Sequence, residues 1–370
     1  MGKSFRFADE LGPHKIVYVY EPDFDLKGIL VIDNVAAGPS IGGLRIAPDV
    51  SLDECFRLAR AMTMKNAAAG LSHGGGKSVL FGDPSMPKKE KERYIRCFAA
   101  ALKNEENYIF GPDMGTDEEC MAWIKDEIGR SVGLPSEAGG IPLDEIGATG
   151  FGLSIAAEIS ANHIDLDLQG ARVVVQGFGS VGKHAARFLA QKGAVLIGAA
   201  DSKGSVYNKD GLELEELIEF KNAGGSVKDF NKGKKAEKDA VIDIECDIWI
   251  PAARPDVISE ENVSRLKTKL IISGANIPIT EGAEKILHDQ KILCMPDFIC
   301  NAGGVICAAV EYHSGNKTLA FNTIEEKIRQ NTKEVLKFIK EKNIRPREAA
   351  VKIAKQRIKK AMSFKRWSIF

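Results

Sequence analysis

Two lysines, Lys65 and Lys77, stand twelve positions apart, and the second follows Gly74, Gly75 and Gly76. Three glycines strip side-chain bulk from the backbone, so a small molecule can approach Lys77 closely. Burial in such a place lowers an ammonium pKa toward neutrality. A neutral lysine can act as a base. The run Gly74 to Ser78 also suggests a phosphate loop, but that motif's first glycine falls at Leu71. The loop also needs a strand before it and a helix after it, whereas 52–69 reads helical and 78–81 reads as a strand. A nucleoside triphosphatase is therefore set aside.

A second constellation follows the apolar run Ala171 to Gln176, which has the character of a buried parallel strand. Next come Gly177-Phe178-Gly179-Ser180-Val181-Gly182, a helical run to Gln191, and a second strand from Ala194 to Ala200 that ends at Asp201. Gly-x-Gly-x-x-Gly between strand and helix, with an acid about 20 residues on, is the fingerprint of a dinucleotide site. The first two glycines turn the chain and admit a pyrophosphate, Gly182 lets helix pack on strand, and the helix N-terminus attracts the anion. Asp201 can accept from both ribose hydroxyls. Ser180, Val181 and Ser202 complete the contacts expected there.

The elements that must carry these groups form two blocks, as a 370-residue length suggests. From residue 15 to about 140, strand-like runs (16–20, 29–32, 78–81) alternate with helical stretches (52–69, 89–104, 117–129). Gly139, Gly140 and Pro142 punctuate the chain, and a helix at about 149–162 leads into the second block. Later strands at 247–251, 269–273 and 291–295 continue an alternating order, and the chain turns helical after Gly304. The expected class is α/β with two domains. Residues 1–145 form an α/β substrate-binding and oligomerisation domain, and 146–341 form a Rossmann-type, doubly wound dinucleotide domain. A C-terminal helix at about 342–370 packs back on the first.

Lys+Arg and Asp+Glu both number 51, so nothing in the charge points to nucleic acid. The basic stretch Lys355, Arg357, Lys359, Lys360, Lys365 and Arg366 reads as a solvated helix face or a subunit contact. Seven scattered cysteines without a Cys-x-x-Cys pair read as reduced core thiols, and six histidines without ligand spacing indicate no metal. No signal-peptide core or membrane-length apolar run occurs, so the expected compartment is cytoplasmic, with no membrane partner.

With a dinucleotide site in one block and a candidate base in the other, hydride transfer to or from a small substrate is the chemistry that fits, across a cleft between the domains. Three further clusters narrow it: Gly38 to Arg45 (with Gly42-Gly43-Leu44-Arg45), Gly111-Pro112-Asp113-Met114-Gly115-Thr116, and Asn301-Ala302-Gly303-Gly304-Val305. In order and spacing, together with the lysines, they resemble the amino-acid dehydrogenase superfamily of glutamate, leucine, valine and phenylalanine dehydrogenases, from about residue 28 to beyond 310. The resemblance implies oxidative deamination of an L-amino acid to the 2-oxo acid and ammonia, and a homo-oligomer, whether hexamer, octamer or dimer. It assigns the α-carboxylate to Lys65, the catalytic base to Lys77 and proton exchange with the amino group to Asp113. Gly42 and Gly43 join the substrate site, while Thr149, Ala252, Asn276 and Asn301 fall on the nicotinamide side. His73 is not used as a base by the family, and packing or a surface position is the simpler reading.

Two positions depart from the glutamate-dehydrogenase pattern. Ile41 stands where that subfamily has a lysine for the side-chain carboxylate, and Ala308 stands where it has a serine. A carboxylate buried unpaired against them costs several kcal/mol, so an apolar or branched-chain amino acid is expected, with glutamate the alternative. Asp201 favours NAD, while Lys203 leaves NADP possible. A reading of another class, a catalytically idle cofactor-binding regulator, is opposed by the joint presence of Lys65, Lys77 and Asp113.

Overall fold

The computed structural model describes residues 5–365 and divides into two compact units. One comprises the described parts of Met1–Pro142, Val305–Ala320 and Val351–Phe370; the other comprises Leu143–Gly304 and Phe321–Ala350. No helix among the described residues is long and apolar enough to cross a membrane.

The first unit is built on a five-stranded sheet of β1 (Lys15–Glu21), β2 (Leu26–Asn34), β3 (Ser40–Ala47), β4 (Gly74–Phe81) and β5 (Tyr108–Pro112), in the order β1-β2-β4-β3-β5. β3 runs parallel to both β4 and β5, while β2 is antiparallel to β1 and β4. Successive side chains on a strand point to opposite faces, and both faces here are covered. Leu30, Ile32, Leu44, Ile46 and Leu80 share a core with α2 (Lys88–Ala101) and α3 (Glu118–Ile128). Ile29, Val31 and Val79 pack with Cys55 and Ala59 of α1 (Leu52–Ala68). β3 and β5 lie outside the strands expected from alternation, because glycines at 42, 43 and 111 interrupt the apolar pattern.

The stretch 305–320 groups with this unit, whereas its sequence position suggested the dinucleotide domain. The physical tie is Glu311, on α9 (Gly303–Tyr312), whose buried carboxylate accepts from the amides of Gly133 at 2.7 Å, Leu134 at 3.1 Å and Ile141 at 2.9 Å. Replacing Glu311 by alanine leaves three buried amides without an acceptor. The expected loss is at least about 3 kcal/mol, read as a lowered denaturant midpoint; an unchanged midpoint contradicts it.

The second unit holds a seven-stranded sheet in the order β12-β11-β10-β6-β7-β8-β9. β6 (Arg172–Gln176), β7 (Val195–Ala200), β10 (Ile248–Pro251), β11 (Leu270–Ile272) and β12 (Leu293–Met295) pair in parallel, while β8 (Ser205–Tyr207) and β9 (Lys234–Ala236) extend one edge antiparallel. From β6 the chain winds one way to β7 and the other way to β10, so the strand order reverses at β6. Doubly wound sheets bind ligands at the carboxyl end of that switch point. The helical elements of this unit include α4 (Ala148–His163), α5 (Ser180–Ala190), α6 (Leu214–Asn222), α7 (Glu281–Asp289) and α8 (Asp297–Cys300). The long helices α10 (Lys317–Lys342) and α11 (Pro346–Phe364) follow α9, and each has residues in both units. Arg366 lies outside the described residues.

Candidate active site

In the first unit, three neighbouring strands bring one ionic cluster together. β4 supplies Lys77, β3 supplies Gly43 and Arg45, and β5 ends at Pro112, directly before Asp113. Lys77 Nζ donates to Asp113 Oδ2 at 2.5 Å, reaching across β3 to do so. Gly43 makes that reach possible: a Cβ there would stand 3.0 Å from Lys77 Nζ and 2.8 Å from Asp113 Cβ. Gly42 has a different task. Its added Cβ would come 1.8 Å from the Gly76 carbonyl oxygen, so this glycine serves the packing of β3 against β4.

Two partners that sequence reading missed complete the cluster. Arg45 Nε donates to the same Asp113 Oδ2 at 2.9 Å, and its Nη1 is paired with Glu54 in the first turn of α1. Arg45 lies in the quoted Gly-Gly-Leu-Arg segment, but nothing in the one-dimensional pattern pairs it with Asp113, 68 residues on. Thr116 pins the turn, its hydroxyl accepting from the Asp113 amide at 2.9 Å and donating to the Leu44 carbonyl at 2.8 Å. Burial pushes the Lys77 amine below the ordinary lysine range; the Asp113 carboxylate opposes this and Arg45 reinforces it. Burial pushes Asp113 up, but Lys77 and Arg45 outweigh it and hold the carboxyl below its usual value. An amine of depressed pKa touching a carboxylate is an arrangement that can move protons near neutral pH.

Lys65 sits half-buried in the last turn of α1. The helix can lie on β4 because Gly75 carries no side chain, whose Cβ would come 2.0 Å from the Thr63 amide nitrogen. Arg357 of the basic C-terminal stretch donates to the carbonyls of Ala67 at 3.2 Å and Ala68 at 2.8 Å, capping this helix end. Ile41 and Ala308 are both buried in this unit. His73 is buried too, its ring bonded to the Pro39 carbonyl at 3.0 Å and to His313 at 3.2 Å.

In the second unit a cavity of about 690 Å³ lies at the carboxyl ends of β6, β7 and β10, lined by Gly177, Gly179, Asp201, Ser202 and Ala252 among others. Its fit to a dinucleotide is testable at the glycines. Gly177 has φ +96, and a Cβ there would meet the Ala253 nitrogen at 2.5 Å. A Cβ on Gly182 would stand 2.1 Å from the Gly177 carbonyl oxygen, so helix and turn touch as the fingerprint requires. Beside Gly179 nothing lies within 4 Å. Gly179 also caps α5, which Ser180, Val181 and Gly182 begin, and no side-chain hydrogen bond caps this helix end. Open space beside uncapped amides suits a pyrophosphate.

Asp201 lines the cavity with its oxygens already engaged. Oδ1 accepts from the Lys203 amide at 2.9 Å and Ser226 Oγ at 3.1 Å; Oδ2 accepts from Lys221 Nζ at 2.7 Å and the Val227 amide at 2.8 Å. Burial raises its pKa, but Lys221 and the amides of Val227 and Lys203 outweigh that and bring it to about 2. Lys221, Lys238, Arg254 and Arg265 line the same cavity, and Lys203 does not. Thr149, Asn276 and Asn301 also lie outside its lining. Asn301 Nδ2 donates to Asn276 Oδ1 at 3.0 Å and to the Gly274 carbonyl at 3.2 Å, and Thr149 stands beside Gly304, where a Cβ would be 3.2 Å from its hydroxyl.

Residues 139–366 match the family model of the glutamate/leucine/phenylalanine/valine dehydrogenases, and 16–130 match the dimerisation domain of the same family. The chain belongs to the Glu/Leu/Phe/Val dehydrogenase family. This amino-acid dehydrogenase is 36% identical to a glutamate dehydrogenase of Aeropyrum pernix, over 90% of its own length and 85% of the relative's. It is 37% identical to an NADP-specific glutamate dehydrogenase of Saccharolobus shibatae, over 79% and 72%. The hetero-hexameric glutamate dehydrogenase of Thermus thermophilus, solved in its Leu-bound form, superposes with a TM-score of 0.84 at 27% identity, covering 96% of this dehydrogenase and 91% of that chain.

Proposed function

We propose that this dehydrogenase reversibly deaminates an L-α-amino acid, with Lys77 as base, Asp113 as proton carrier and Lys65 as the anchor of the α-carboxylate. The observation that carries the reading is the Lys77–Asp113 contact of 2.5 Å over the bare Gly43. A bound NAD or NADP supplies the hydride acceptor. Lys65 fixes the carboxylate, so that the Cα–H is aimed by positioning alone. Lys77, deprotonated, takes a proton from the water that adds to the substrate iminium. Asp113 delivers a proton to the nitrogen, which leaves as ammonia.

For the amino acid, the curated relatives' names favour glutamate, and this is the first reading. It requires a cation other than residue 41 to meet the side-chain carboxylate. The second reading, an apolar or branched-chain substrate, is favoured by Ile41 and Ala308, both buried. Measuring kcat/KM for glutamate, leucine, valine and phenylalanine separates them. Glutamate ahead by about a hundredfold supports the first, and an apolar residue ahead by that factor supports the second.

For the cofactor, the charge of Asp201 supports NAD. The engagement of both its oxygens and the cations Lys221, Lys238, Arg254 and Arg265 support acceptance of NADP. Comparing KM for the two decides, with a tenfold or greater preference for NAD expected if Asp201 selects. The dimerisation-domain match and the hetero-hexameric neighbour support an oligomer, and sedimentation of the purified chain alone tests whether it is a homo-oligomer.

A further inference from the structure

We infer that Arg45, braced by Glu54, is a positioning residue that holds one oxygen of Asp113 and reserves the other for the reacting nitrogen; the inference rests on the dehydrogenase reading above. Lys77 Nζ and Arg45 Nε both donate to Oδ2, at 2.5 and 2.9 Å. Oδ1 accepts from no group among the described residues. A carboxylate held by two donors on one oxygen resists the half-turn that would exchange its oxygens, so Oδ1 keeps a fixed direction.

The brace extends into the scaffold. Arg45 Nη1 is paired with Glu54, and the Glu54 amide is in turn held by the N-cap Ser51 hydroxyl at 3.2 Å. The planar guanidinium thus spans two carboxylates from a rigid helix start to the site, which a lysine's single ammonium cannot do. Arg45 also sets a permanent positive charge beside the Lys77 ammonium and favours its neutral form. The step it serves is a proton transfer alone: Oδ1 takes a proton from the amino nitrogen in one direction and returns it in the other.

The test uses Arg45→Met, Arg45→Lys and Glu54→Gln in the full-length protein, with two readouts. One is the pH profile of kcat/KM and kcat; the other is the pH dependence of Lys77 labelling by a small amine reagent, read by mass spectrometry, which needs no turnover. Arg45→Met is expected to move the acid limb and the labelling midpoint upward by about one pH unit and to lower kcat about tenfold or more. Arg45→Lys, keeping the charge, moves the limb less yet still loses kcat. Glu54→Gln lowers kcat several-fold without moving the limb upward. A limb and midpoint that stay put in Arg45→Met overturn the inference, since a merely structural arginine would not move them. If Arg45→Met fails to fold, an unchanged kcat in both Glu54→Gln and Arg45→Lys overturns it. A parent protein inactive with every amino acid overturns the dehydrogenase reading instead, and the labelling midpoint still decides the role of Arg45.

Discussion

Replacing Lys77 by alanine lowers the turnover of oxidative deamination by about 10²–10⁴-fold, the range in which a positioned general base contributes. The loss should fall on kcat, because Lys77 is proposed to act on water rather than to hold the substrate. The variant should still fold: Asp113 keeps Arg45 as its partner at 2.9 Å, so no carboxylate is left buried and unpaired. Dinucleotide affinity should stay within about twofold of the parent, since every residue lining that cavity lies in the other compact unit. Steady-state kinetics and fluorescence titration with NADH check both halves. Unimpaired turnover removes Lys77 from the role of base.

Asp113→Asn produces the second large effect. The amide cannot carry a proton between the nitrogen and its surroundings, so kcat falls by a similar factor of about 10²–10⁴. The accompanying pH shift has a definite sign. Asp113 raises the Lys77 pKa, working against burial and Arg45. Without it, the buried amine loses its proton more readily, and the acid limb of kcat/KM moves to lower pH. Loss of Arg45 is expected to move the same limb the other way. Opposite displacements in the two variants are what one shared ionic cluster requires; displacements of the same sign contradict it.

Much of this cluster and of the glycine-rich turn was legible in the sequence. Gly177, Gly179 and Gly182 differ in what surrounds them, one in a left-handed turn, one beside open space, one against a carbonyl, and the fingerprint spacing predicts each. Lys77 and Asp113 stood in recognisable motifs, although their contact is long-range. What escaped reading has a common physical cause. The pairing of Arg45 with Asp113, the engagement of Asp201 by Lys221, Ser226 and Val227, and the attachment of Glu311 to Gly133 and Ile141 join positions far apart in the chain. Side-chain hydrogen bonds of that kind leave no periodic trace. β3 and β5 escaped for a local reason, since Gly42, Gly43 and Gly111 erase the apolar alternation that marks a strand, and of these Gly43 is the one that leaves room for Lys77 to reach Asp113.

The two positions proposed to bear on substrate choice present a different situation. Ile41 and Ala308 are buried, yet three relatives 35–37% identical to this chain carry the name glutamate dehydrogenase. If glutamate is the substrate, Ile41→Lys should improve its KM by introducing the missing charge, and if a branched-chain amino acid is the substrate, the same change should weaken its binding by burying an ammonium beside an apolar side chain.

The most direct test of the account is to mix the purified protein with NAD or NADP and a panel of L-amino acids, following the near-ultraviolet absorbance of the reduced nicotinamide and the ammonia released. Deamination by the Lys77–Asp113 pair predicts both signals in equal amounts with at least one amino acid, and both slowed by about 10²–10⁴-fold in Lys77→Ala. Absence of both signals with every amino acid and both cofactors would contradict it.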